Sequence, residues 1–274
     1  METILVTGTD GFIGSNLVRE LEVSKKNNIH KITEDIFENE LWTEYLKSLL
    51  HEIKPTVIFH VGACSDTLEQ DVNYMMTRNF ESTKILVDYS FEHQVPIIYS
   101  SSAANYGVNN MYPSNLYGWS KYVAEQYVIS KGGIGLRYFN VYGPGEEKKG
   151  KMASVAYQMY LKKMKGENVY LFPKKPKRDF VYVKDVVNAN IFAWENYQNS
   201  YGKYYEVGSG VAMGFEDVLD YMKIGYEYTH EKIIPVGYQF YTCSDKNKWL
   251  TNWVPEWSLE KGIKNYLKHL ECHE

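Results

Sequence analysis

The segment LYGWSK, residues 116–121, sets Tyr117 four residues before Lys121. On a helix this spacing puts a phenol and an amine one turn apart on one face. Such a pair can move protons, and it can equally do no more than pack and solvate. A second feature is glycine. Gly8, Gly11 and Gly14 form G-x-x-G-x-x-G directly after the apolar, β-branched run TILVT (3–7), where a helix over 12–23 is predicted to start. Glycine permits the tight turn, and it lets backbone approach a pyrophosphate where a Cβ would intrude. The helix N-terminus then offers free N–H groups and a partial positive charge. Glu34 and Asp35, in HKITED, follow at about the 20-residue distance where a carboxylate meets an adenosine ribose. Asp35 with Ile36 also suits an adenine contact, or merely a helix N-cap. No Arg stands in this stretch to hold a 2′-phosphate, although Lys25, Lys26 and Lys31 are close, so NAD and NADP both stay open.

These groups need a scaffold. Strand-like runs at 3–7, 28–33, 56–63, 96–102 and 135–143 alternate with helical patterns at 12–23, 41–53, 72–93 and 117–129. That rhythm predicts an α/β fold, a Rossmann-type doubly wound parallel sheet with helices on both faces. Ligands of such sheets bind at the carboxyl ends of the strands. SSSAANYG (100–107) stands at one such end, and LYGWSK opens the next helix. Beyond Gly143 the rhythm loosens into a charged loop (143–151), a helix near 153–165, a strand at 168–172, a strand-then-helix over 178–195 and a terminal amphipathic helix at 258–270. The expected division is a dinucleotide-binding domain of residues 1–141 plus about 178–210, and a smaller C-terminal substrate-binding lobe of about 142–177 plus 211–274.

The 274 residues suffice for a large domain with a lobe. With 44% apolar and 23% charged residues the chain is not of disordered type, and a net charge of −4 gives no basic field for nucleic acid. Three scattered cysteines make neither a disulfide framework nor a zinc site. The N-terminus lacks a basic region before its apolar run, and no apolar stretch approaches the roughly 20 residues that span a bilayer. The expectation is a soluble cytoplasmic protein without metal, membrane or nucleic-acid partner. Cys64 reads as a packing residue and His60 as a core histidine with a backbone partner. Met152, Met159 and Met164 read as filler of the lobe core.

The glycine turn, the strand-end serine and Y-x-x-x-K, in this order, resemble the extended short-chain dehydrogenase/reductase family of NAD-dependent epimerases and dehydratases. The resemblance covers nearly the whole chain and includes RDFVYVKDV (178–186) and SLEKGIKNYL (258–267). It implies roles. Tyr117 is the general acid/base on a sugar hydroxyl; with an ordinary pKa near 10 it needs help to act near neutrality. Lys121 supplies that help by its charge and holds the nicotinamide ribose, and Ser102 hydrogen-bonds the reacting oxygen. The implied cofactor contacts are Gly8, Gly11, Phe12, Ile13, Gly14, Asp35, Ile36, Ala63, Lys121 and Val141. Dehydratases of the family follow the strand-end Ser/Thr with an Asp-Glu pair, and decarboxylases place a Glu close by. Here Ala103, Ala104 and Asn105 stand instead, which leaves an epimerase or a reductase.

HVGACSDT (60–67), FNVYGPGEEKKGKMASVAYQM (139–159) and KRDFVYVKDV (177–186) look like one subfamily, the ADP-L-glycero-D-manno-heptose 6-epimerases. That resemblance implies NADP, held tightly while a nucleotide-diphosphate sugar is transiently oxidised and re-reduced, in a homo-oligomer. It makes Lys149 the second acid/base and Asn140, Lys151, Gln158, Arg178 and Tyr238 substrate contacts. Arg178 would meet the diphosphate, a task suited to its fork of charged donors. The chain departs from the subfamily in its shorter loops, with only 15 positions from Ser102 to Tyr117. It departs also in Lys151 where a Ser is usual, and in Gln158 where a His is usual. A 4-epimerase or 4-ketoreductase on another sugar, and a non-catalytic NAD(P)-binding scaffold, are the alternatives.

Overall fold

A computed structural model describes residues 2–23, 27–108, 111–230 and 239–272. The chain lays down β1 (Thr3–Thr7), α1 (Phe12–Val23), β2 (Asn28–Ile32), α2 (Trp42–Ile53), β3 (Val57–His60), α3 (Val72–Met76), α4 (Ser82–His93), β4 (Ile97–Ser102), α5 (Leu116–Ser130) and β5 (Ile134–Tyr138). There follow β6 (Asn140–Tyr142), α6 (Val155–Met164), β7 (Tyr170–Leu171), β8 (Lys177–Tyr182), α7 (Val183–Glu195), α8 (Tyr197–Ser200), β9 (Lys203–Val207), β10 (Ala212–Gly214), α9 (Phe215–Met222), β11 (Glu227–Tyr228) and α10 (Leu259–Glu271).

Six strands form one wholly parallel sheet in the order β2-β1-β3-β4-β5-β9. Alternation along β1 shows why it needs cover on both sides. Ile4 and Val6 pack under α1 and α7 with Leu17, Leu21 and Val186, while Leu5 packs on the other face with Leu46, Leu86 and Ala124. From β1 the chain goes out to β2 on one side and crosses back to β3 on the other. The crevice at the carboxyl ends of β1 and β3 is therefore the switch point where such sheets take ligands.

The predicted strand over 135–143 divides at Phe139. Its first part is β5 of the large sheet; its second, β6, joins the three-stranded sheet β10-β8-β6. The division carries Tyr142 into a second core, where it packs with Tyr182, Phe180, Leu219, Ile263 and Tyr266. β8 thus lies in the small sheet, whereas α7 and β9 belong with the large one. Of the three methionines expected in the lobe core only Met159 lies there; Met164 is exposed and Met152 lines a cavity.

The pattern over 72–93 is one continuous helical run with an irregular middle. Residues 77–81 form a wide π-turn between α3 and α4. The turn buries Asn79, whose Oδ1 accepts from Cys64 N at 2.7 Å and whose Nδ2 donates to Cys64 O and Ser120 Oγ, each at 2.9 Å. One amide so pins the loop after β3 to α5, the helix that carries Tyr117.

Candidate active site

A cavity of about 1490 Å³ opens along the carboxyl ends of β1, β3 and β4 and reaches the small sheet. Pockets for one small ligand run to roughly 300–1,000 Å³, so this one has room for two. Its floor is the glycine turn. Gly8 has φ 67°, and a Cβ on Gly14 would sit 2.0 Å from Gly8 O. The first N–H groups of α1 have no intrahelical acceptor, and Gly11, Phe12, Ile13 and Gly14 line the cavity. Ala63 and Val141 line it too.

Asn115 caps α5, its Oδ1 accepting from Gly118 N at 2.8 Å. From that cap Tyr117, Lys121 and Glu125 fall on one helical face. Tyr117 and Ser102 both line the cavity. Burial pushes the Tyr117 phenol above its ordinary value, and hydrogen bonding with Ser102 pulls it back. Lys121 is 2% exposed, and its Nζ lies 4.2 Å from the Tyr99 ring centroid with no hydrogen-bond acceptor among the described residues. Burial lowers this amine to about 7, opposed by the carboxylate of Glu125. A buried amine aimed into a cavity without an acceptor, beside a glycine turn, fits a ribose and pyrophosphate ligand.

Lys149 arrives from a different element. Its turn, residues 147–152, follows Glu146, whose carbonyl accepts from Lys149 N at 3.0 Å, and is broken by Gly150 at φ 51°. Glu146 is fully buried and accepts from Gly143 N at 3.2 Å, Ser154 N at 2.5 Å and Ser154 Oγ at 2.8 Å. The turn sets Lys149 Nζ 5.6 Å from the Phe12 ring centroid, on the wall of the same cavity as Tyr117. Burial pushes its amine down, and Glu146 pushes it back up.

The remaining expected residues divide. Asn140, Lys151, Gln158 and Arg178 line the cavity. Gln158 Nε2 is engaged by the carbonyls of Lys151 (3.1 Å) and Ala153 (2.7 Å), so it braces the Lys149 turn. Arg178 donates to the carbonyls of Lys177 (3.0 Å) and Gln239. Asp35 is exposed and off the cavity wall, which Glu34 and Ile36 occupy instead. Tyr238 lies outside the described residues. His60 is buried between two hydroxyls rather than against backbone, with Nδ1 2.8 Å from Thr7 Oγ1 and Nε2 2.7 Å from Thr83 Oγ1. Burial and Lys121 depress it to about 3, so it is neutral.

Three charged residues of this region escaped the sequence: Glu125, Glu146 and Arg78. Glu125 had a signal, since it continues the Tyr117–Lys121 stripe by four residues. Arg78 comes from the π-turn to stand beside Glu34, its Nε 3.3 Å from Glu34 Oε1. Among the described residues no cluster of His, Cys, Asp or Glu could hold a metal, and no helix is long and apolar enough to cross a membrane.

Comparison with known proteins decides the family. Residues 4–208 match the model of the NAD dependent epimerase/dehydratase family. The chain belongs to that family. This epimerase/dehydratase is 34% identical to an ADP-L-glycero-D-manno-heptose-6-epimerase of Brachyspira hyodysenteriae, across 98% of each chain. Its fold is similar to that of the Helicobacter pylori ADP-L-glycero-D-manno-heptose-6-epimerase, with a TM-score of 0.84, 29% identity and 98% and 96% of the two chains covered. It is similar in fold also to MoeE5 in complex with UDP-glucose and NAD, with a TM-score of 0.81, 21% identity and 99% of each chain covered. The enzyme is thus an isomerase of the nucleotide-sugar epimerase type, from an NAD(P)-dependent family.

Proposed function

We propose that this enzyme inverts C6 of an ADP-glycero-manno-heptose by transient oxidation and re-reduction, with NADP retained throughout. The observation that carries the reading is the convergence of Tyr117, Ser102 and Lys149 on the cavity that the glycine turn floors. Bound there, NAD(P) supplies reversible hydride acceptance at the sugar carbon. The glycine turn and the start of α1 hold its pyrophosphate, and Lys121 holds its ribose.

The chain supplies the proton chemistry. Ser102 orients the carbinol oxygen, and Tyr117 takes its proton as the carbon is oxidised. After the ketone turns in the site, Lys149 gives a proton to the oxygen as the carbon is reduced from the other face; the reverse reaction exchanges the two roles. An amine whose pKa is lowered by burial gives up its proton more readily near neutrality than a solvated lysine does. The size of the cavity leaves room for a sugar nucleotide beside the cofactor, with Arg178 and Asn140 on the substrate side. A cytoplasmic homo-oligomer belongs to the same proposal.

Incubation of purified protein with ADP-D-glycero-D-manno-heptose, followed by proton NMR, tests the reading. The expected result is accumulation of the C6 epimer to equilibrium with no net consumption of cofactor. Absence of inversion refutes the substrate. Stoichiometric oxidation of NADPH added together with a 4-keto nucleotide sugar would instead make the enzyme a ketoreductase.

A further inference from the structure

We propose that Arg78 selects the cofactor: the edge of its guanidinium receives the 2′-phosphate of the adenosine ribose and makes the enzyme prefer NADP(H) to NAD(H). The inference rests on the nucleotide-binding reading of the cavity.

Placement comes first. Gly8 N donates to Ile32 O at 2.7 Å, so the end of β2 abuts the glycine turn. Thr33 and Glu34 follow at once and line the cavity, and Arg78 lines it beside them. In parallel sheets of this kind the residues after the second strand meet the 2′ position of the ribose; an acid there binds a hydroxyl, and a nearby Arg accommodates a phosphate. Among the described residues one other lysine lies close by in the sequence. Lys31 Nζ is bound to Glu22 at 2.7 Å and does not line the cavity.

The geometry of Arg78 then says which part of it is available. Its Cζ lies 3.6 Å from the centroid of the Tyr74 ring and 4.9 Å from that of Phe37. The rings fix the guanidinium and occupy its face, so it is not a free platform for adenine. Nε is engaged by Glu34, and among the described residues neither Nη has an acceptor. Two parallel N–H donors on a rigid plane suit a phosphate. The arrangement is not wholly permissive: Glu34 faces the same space, and its carboxylate repels a dianion while Arg78 attracts it.

Calorimetric titration of the full chain with NADP⁺, NAD⁺, adenosine 2′,5′-bisphosphate and 5′-AMP tests the inference, with circular dichroism as the check on folding. The wild type should bind NADP⁺ more tightly than NAD⁺, and the bisphosphate more tightly than 5′-AMP. Loss of charged hydrogen bonds in Arg78→Gln should weaken NADP⁺ and the bisphosphate about tenfold or more, with NAD⁺ within about twofold. Glu34→Gln should strengthen NADP⁺ and leave NAD⁺ no tighter. A wild type that prefers NAD⁺, or an Arg78→Gln protein that loses both dinucleotides equally, overturns the assignment of Arg78. If the folded wild type binds neither dinucleotide, the nucleotide reading itself falls.

Discussion

Replacement of Glu125 by Leu should weaken the fold and the site together. Glu125 is fully buried on α5. Its Oε2 accepts from Arg137 Nε at 2.8 Å and Ser101 Oγ at 2.7 Å, and its Oε1 from Arg137 Nη2 at 2.5 Å. Arg137 is itself 5% exposed, with its Cζ 3.6 Å from the Tyr204 ring centroid. Glu125→Leu leaves that cation buried without its partner, a loss of about 3–5 kcal/mol. Unfolding entropy runs at about 2.1 cal/mol/K per residue, so a chain of 274 residues should lose roughly 5–9 °C in Tm. Scanning calorimetry of cofactor-free protein measures this without the stabilisation that bound cofactor adds. The double variant Glu125→Leu/Arg137→Met removes both charges and should recover most of the loss. The charge of Glu125 also opposes the depression of Lys121, so its removal should lower that amine further below about 7. Any step that needs cationic Lys121 should then fail at a lower pH in the variant. A Glu125→Leu Tm within about 2 °C of wild type would refute the buried-pair argument.

Tyr117→Phe keeps the ring and removes the proton carrier, so epimerisation should fall about 10²–10⁴-fold while NADP⁺ titrates as in the wild type. Lys149→Met should cost a similar factor, again with cofactor binding retained; full turnover in either variant removes that residue from the acid/base pair. Gly14→Ala would place a Cβ 2.0 Å from Gly8 O, so the turn must open, and the cofactor retained through purification, read by mass spectrometry, should fall to near none. Lys121 titrates at about 7 in the fold against roughly 10.4 unfolded. Between these values the unfolded chain binds the extra proton, so this group makes stability rise with pH. In urea titrations of cofactor-free protein across pH 7 to 10, Lys121→Met should lack that rise relative to wild type.

Much of this was legible because the governing signals are local. Apolar alternation marks β1, helical spacing marks α1 and α5, and glycine spacing marks the phosphate turn, each within a few residues of chain. The resemblance then named Tyr117, Lys121, Ser102 and Lys149, all of which line one cavity. What was not legible depends on partners distant in sequence. Arg78 meets Glu34 across 44 residues and reaches it from a π-turn that helical periodicity cannot reveal. Glu146 reads as one more acid in a charged loop, yet it is fully buried by the backbone turn that it holds together. The break at Phe139 carries no turn signal either: no Gly or Pro stands between Gly135 and Gly143, yet the residues on its two sides enter different sheets.

The short connection from β4 to α5 is held at both of its ends and in its middle. Ser102 Oγ accepts from Ala104 N at 3.1 Å and starts a single helical turn, residues 103–106. Gly107 ends that turn at φ 58°, where a Cβ would stand 1.8 Å from Tyr112 O, so the chain folds tightly onto itself before Asn115 caps α5. The backbone of such a loop needs hydrogen-bond partners from elsewhere. Here a residue distant in sequence provides one: Gln239 Nε2 donates to Gly107 O at 3.0 Å. The carbonyl of the same Gln239 accepts from Arg178 Nη2. One residue therefore ties the loop between Ser102 and Tyr117 to Arg178 on β8. The connection between Ser102 and Tyr117 is thus held from outside the large sheet as well as by its own turn.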